Sequence, residues 1–146
     1  MNPIRSVVAV LGGFVLFAVL SQVMVRTLLA SIVGNVATYM EVAPALLAVA
    51  VAVQGLAGVL AGYMTARIAS ALEKGHGAVL AGLFAVLSIW SFAVTPEAAQ
   101  QVPRWMQVAT IVVVAAAMFA GAAVRARAAS FHTESAGDHV RPGERS

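Results

Sequence analysis

The stretch VAPALLAVAVAVQGLAGVLAGYMTARIASALEKGHGAVL, residues 42–80, decides the fold. It reads as a long apolar run, a short basic turn and the start of a second apolar run. Within the first run Gln54, Gly58, Gly62, Ala66 and Ser70 recur every four residues. On a helix that spacing lays one strip of mostly small side chains along a single face, which another helix can approach closely. Gly58 and Gly62 form a G-x-x-x-G inside a segment long enough to cross a bilayer, where helices associate through close packing because lipid removes the hydrophobic drive between them. Gly58, Gly62 and Ala66 are therefore the expected helix-packing residues. Alanine-rich membrane helices also generate such spacing through composition, so the reading turns on whether a neighbouring backbone lies against the strip.

Outward from this stretch, the composition agrees. Of 146 residues 61% are hydrophobic and 10% charged, against about half and about a quarter in soluble domains. The charged residues lie almost wholly between long apolar runs, the pattern expected when bilayer is the solvent for most side chains. The expected fold is an all-α polytopic membrane protein, a four-transmembrane-helix bundle. The formal charge of +3 comes from basic residues scattered at segment ends with no patch interleaved with aromatics, so no nucleic-acid partner is expected. The absence of cysteine excludes disulfides, thiolate metal sites and cysteine nucleophiles.

In chain order, the first span is expected at about residues 7–29. Arg5 followed by the apolar run from Val7 to Leu20 has the look of a secretory signal, but no small-x-small cleavage site follows and hydrophobicity resumes after Arg26, so this helix is expected to be retained. Pro44 suits the first turn of a helix, where its missing N–H is not needed, and opens the second span at 44–66. Glu73, Lys74, Gly75, His76 and Gly77 read as a charged turn, with His76 a solvated loop histidine. The third span follows at 78–94 and the fourth at 105–124. The polar stretch 125–146 reads as a disordered tail. Lysine and arginine counts put Arg5, Arg67, Lys74, Arg125 and Arg127 on one side, with Arg141 and Arg145 behind them, and Arg26 and Arg104 on the other. The positive-inside rule then places both termini in the cytoplasm.

An internal repeat runs through the spans. LFAVLS occurs at 16–21 and again at 83–88. The second helices of the two halves also end alike, Ala61-Gly62 leading through Arg67 to Ala69-Ser70 and Ala120-Gly121 through Arg125 to Ala129-Ser130. A duplicated helical hairpin accounts for both matches and makes the halves parallel; a small pool of Ala, Val, Leu and Gly is the alternative source.

Gly12-Gly13, AGYMTARIA at 61–69 and GHGAVLAGL at 75–83 resemble small four-pass bacterial integral membrane proteins of uncharacterised families. The resemblance covers the first three spans, brings no activity or site residues with it, and implies a bacterial cytoplasmic (inner) membrane.

Chemistry-bearing residues are few. The candidate intramembrane polar residues are Gln22, Arg26 and Gln54. Arg26 lies about one turn inside its helix end, where its side chain either reaches the headgroups or pairs with Glu41. Gln22 and Gln54 fall at similar depth, close enough to meet. With Ser21, Thr27, Ser88, Ser91 and Thr110 they make one half of the bundle polar, as interhelical hydrogen bonds or as a solvated vestibule. No acidic residue lies within a span, and no H-E-x-x-H, G-x-S-x-G or phosphate-binding loop occurs, so no catalysis, cofactor or metal is expected. His132, Asp138 and His139 lack a fixed geometry for a metal. The sequence thus predicts a structural or accessory membrane component acting through helix contacts, with the bilayer and either a second copy or another membrane protein as partner. The alternative is a subunit of a small oligomeric channel or transporter.

Overall fold

The computed structural model describes residues 3–32, 41–69, 73–95, 97 and 100–137, with the backbone alone for 3, 73 and 130–137. It consists of α1 (Pro3–Ile32), α2 (Pro44–Ala69), α3 (Glu73–Val94) and α4 (Arg104–Gly137). All four are long and apolar enough to cross a bilayer, and the chain is a multi-pass membrane helical bundle. Helices are what such sequences must form there, because hydrocarbon offers no water to satisfy backbone N–H and C=O groups.

Local chemistry sets the helix ends. The Ala43 carbonyl accepts from the N–H of Leu46 and Leu47 at 2.9 and 3.2 Å, with Pro44 at the first helical position. The Pro103 carbonyl does the same for Met106 and Gln107 at 2.9 and 3.2 Å, and Gln107 Nε2 folds back to donate to the Val102 carbonyl at 2.9 Å. At the close of α3 the Ser91 carbonyl accepts from Thr95 N at 3.0 Å and from Thr95 Oγ1 at 2.6 Å.

Three expected boundaries move. Helix α1 starts at Pro3 instead of residue 7, which brings Arg5 into its first turns, where Nε donates to the Ile68 carbonyl at the end of α2 at 2.8 Å. Helix α3 starts at Glu73, so the Gly75-His76-Gly77 turn of the sequence reading is helical. The reason lies at Gly77, where a Cβ would collide with that of Ala122: this glycine serves close packing, and no turn is made. Helix α4 continues through Gly137, where the sequence reading begins a disordered tail at Arg125. Arg125-Ala126-Arg127-Ala128-Ala129 is a run of strong helix formers, and extending an existing helix needs no new nucleus. Residues 138–146, including Asp138, His139, Arg141 and Arg145, lie outside the described residues, as does Ser70.

The contacts fix an up-down-up-down arrangement. Arg5 at the start of α1 meets Ile68 at the end of α2, so these two run antiparallel. Gly58 faces Val114 and Gly62 faces Met118, so α2 and α4 run parallel. Phe17 of α1 packs on Phe84 of α3, and the same order of residues continues along both, so they too are parallel. One core cluster joins all four helices through Phe17, Ala57, Leu80, Phe84, Val114 and Met118. A second, toward the other end, gathers Val25, Leu29, Leu47, Val51 and Met106.

Helix α1 shows how the bundle sorts its residues. Ala9, Gly13, Phe17, Ser21, Val25 and Leu29 are buried at every fourth position. Val7, Leu11, Val15, Val19 and Val23 are exposed, also at every fourth position. The outward strip is wholly apolar, and Ala9, Gly13 and Ser21 share the inward strip with Phe17, Val25 and Leu29; an apolar exterior with small residues among the helix contacts is expected when lipid surrounds the fold.

Candidate functional site

The sequence-predicted packing residues lie at the contact between α2 and α4. Gly58 and Gly62 are buried and Ala66 is fully buried. A Cβ on Gly58 would come within 3.2 Å of the Val114 carbonyl oxygen and 3.3 Å of Ala117 Cβ. On Gly62 it would fall on the Met118 carbonyl, and on Gly121 it would fall on the Val59 carbonyl. The relation is reciprocal: each glycine receives the backbone of the residue three positions before the other. Thr65, fully buried, returns its hydroxyl to the Ala61 carbonyl at 2.9 Å. Gly13 of α1 leaves the space that this hydroxyl fills. Gly13, Gly77 and Gly121 were not singled out as packing residues in the sequence. Only Gly121 carried a signal, through its match to Gly62 in the repeat.

The polar residues distribute differently from expectation. Gln54 is half-buried on α2, while Gln22 is exposed and lies on the side of α1 that faces α3. Among the described residues no hydrogen bond joins them. Gln22 stands one position after Ser21 in the buried strip of α1, and one position is about 100° of rotation, enough to turn it away from α2. Arg26 is exposed, as is Glu41, and no ion pair joins them among the described residues.

What Gln22 faces is a cleft of about 430 Å³ between α1 and α3. From α1 it is lined by Phe14, Phe17, Ala18, Ser21 and Gln22, and from α3 by Phe84, Leu87, Ser88, Ser91 and Phe92. Because the two helices are parallel, the lining is graded along the axis. The amino-terminal part is aromatic and apolar, closed by Phe17 and Phe84 with ring centroids 5.1 Å apart at 76°. The carboxy-terminal part carries three hydroxyls and an amide beside Leu87 and Phe92. Ser21 donates to the Ala18 carbonyl at 3.2 Å, which leaves its oxygen able to accept. Gln22 and Ser88 make no side-chain hydrogen bond among the described residues. The volume is within the range of small-molecule sites, and the mixture of apolar wall and a few convergent polar groups is what such sites need for orientation.

At the opposite end of the same two helices, Ser6, Val7, Val10, His76 and Val79 line a second, almost wholly apolar pocket of about 310 Å³. His76 is 8% exposed, which corrects its reading as a solvated loop residue. The early start of α3 and the approach of Gly77 to Ala122 carry it inward. Among the described residues no three His, Asp or Glu side chains gather as a metal site would require.

Compared with protein-family models, curated proteins and solved structures, the chain matches none.

Proposed function

We propose that the chain is a structural or accessory component of a bacterial cytoplasmic membrane, without catalytic activity, that acts through contacts between helices. The observation that supports this is the interlock of Gly62 and Gly121, which makes α2 and α4 a rigid pair. That pair occupies the small-residue strip within the chain, so a partner in the bilayer meets the outward faces of the helices, which carry large apolar side chains. Arg5, Arg67, Lys74, Arg125 and Arg127 gather at one end of the up-down-up-down bundle and Arg26 and Arg104 at the other, so both termini are assigned to the cytoplasm. The bacterial assignment rests on the resemblance stated above. Affinity capture in a mild detergent tests the role: a stoichiometric membrane-protein partner supports it, and a homo-oligomer that also conducts solute opposes it. Reporter fusions at Ser6 and after Arg127 test the orientation; both should report cytoplasm.

The cleft favours a second reading, a subunit of a small channel or transporter in which Ser21, Gln22, Ser88 and Ser91 line a polar vestibule. Solute flux in proteoliposomes separates the two roles.

A further inference from the structure

The geometry points to the α1–α3 cleft as a binding site for a single phospholipid with an anionic headgroup, taken from the leaflet nearest Arg26. Three observations combine. First, the cleft is graded along the bundle axis in the order in which a lipid presents its parts. Phe14, Phe17 and Phe84 offer an apolar wall for an acyl chain, and Gln22, Ser88 and Ser91 offer donors at the level of the ester carbonyls. Second, the Gln22 amide and Ser88 hydroxyl stand within predicted spans without a hydrogen bond among the described residues. Polar groups left so in hydrocarbon are costly, and ester oxygens would accept from them. Third, Arg26 follows Gln22 by four residues on the same face of α1, about 6 Å further along the axis. It is exposed, and it has no ion pair among the described residues. A cation one turn above the ester level is where a lipid phosphate and an acidic headgroup would lie, and guanidinium recognises phosphate by paired hydrogen bonds. The span from Phe14 to Arg26 is about 18 Å, close to the depth of one leaflet of the hydrocarbon core with its headgroup boundary.

The site does not depend on the accessory role, so a failed partner capture leaves it standing; it occupies the same cleft that the transport reading uses as a vestibule, and a failed flux assay does not bear on lipid binding. The test is native mass spectrometry of the full-length, delipidated protein titrated with phosphatidylglycerol or phosphatidylcholine. The expected result is one lipid per chain, with phosphatidylglycerol bound about five- to tenfold more tightly. Ala18→Trp fills the cleft from an exposed position and should abolish the adduct. Val19→Trp, one residue on and 56% exposed toward lipid, should retain it. Arg26→Gln should keep one bound lipid and lose the preference for phosphatidylglycerol. Multiple weak adducts in place of one, equal binding by the Ala18→Trp and Val19→Trp variants, or an unchanged preference in Arg26→Gln would each overturn the assignment. Melting curves for all three variants confirm that each is folded when its adducts are read.

Discussion

Phe17 and Phe84 stand edge to face, with ring centroids 5.1 Å apart and planes inclined at 76°, and each is the second residue of an LFAVLS segment. The repeated hexapeptide therefore meets its own copy in space. The two rings bridge α1 and α3 directly and line the cleft between them.

If the rings interact beyond the area they bury, their effects are coupled. Phe17→Leu and Phe84→Leu should each destabilise the bundle, and a double-mutant cycle on thermal or denaturant unfolding in detergent should return a coupling of about 0.5–1.5 kcal/mol. Strict additivity would mean that the edge-to-face geometry contributes nothing of its own.

Gly62→Ile and Gly121→Ile should each destabilise by about 3 kcal/mol or more, because the new side chain meets a carbonyl that cannot move without displacing a helix. Leu60→Ile, at a position 51% exposed, should be nearly silent. Thermal aggregation in detergent provides the comparison. The double glycine variant should cost less than the sum of the singles, since the first already separates α2 from α4. Similar melting of Gly62→Ile and Leu60→Ile would mean that no backbone lies against the strip.

Gln22→Leu and Gln54→Leu should be additive in a double-mutant cycle, because the two side chains occupy different faces of the bundle and do not bond. In delipidated protein Gln22→Leu should change stability by less than about 0.5 kcal/mol, since it removes a polar group with no partner among the described residues. A coupling above about 0.5 kcal/mol would restore the direct contact that their similar depth suggests.

The depth of a residue was legible in the sequence, and the angle at which it faces its neighbours was not. Length and apolar runs locate the four spans to within a few residues, and Pro44 marks the start of α2. Gln22 and Gln54 were placed at a common level by counting along their helices. Whether they meet depends on helix rotation, and 100° per residue makes a one-position difference from Ser21 decisive. The glycines at 75 and 77 illustrate another ambiguity: glycine is equally suited to a turn and to a close helix contact. Only the position of Ala122 distinguishes them here. The continuation of α4 past Val124 was hidden by polarity, because a helix leaving the bilayer no longer needs an apolar composition.

Arg5→Ala should loosen the cytoplasm-assigned end of the bundle locally. The Nε–Ile68 bond at 2.8 Å satisfies one of the last carbonyls of α2 and sets a positive charge at the negative end of that helix. Its loss should cost about 0.5–1.5 kcal/mol. Hydrogen exchange should quicken in the last turn of α2 and the first turns of α1, with the middle of α2 unaffected. Arg5→Lys should rescue only in part, since a lysine keeps the charge but not the planar donor.

The mutual seating of Gly62 and Gly121 also determines which movements remain open to the molecule. Sliding α2 along α4 by one residue would rotate a larger side chain into a space that holds only a backbone. Rocking the two halves apart would empty both contacts at once. A mechanism that alternates the halves about an axis between them, as many repeated transporters do, would have to break this glycine-on-backbone contact at every cycle. The freedom left belongs to α1 and α3, which are less extensively joined to each other. A motion that spares the glycine contact would change the width of the gap between those two helices.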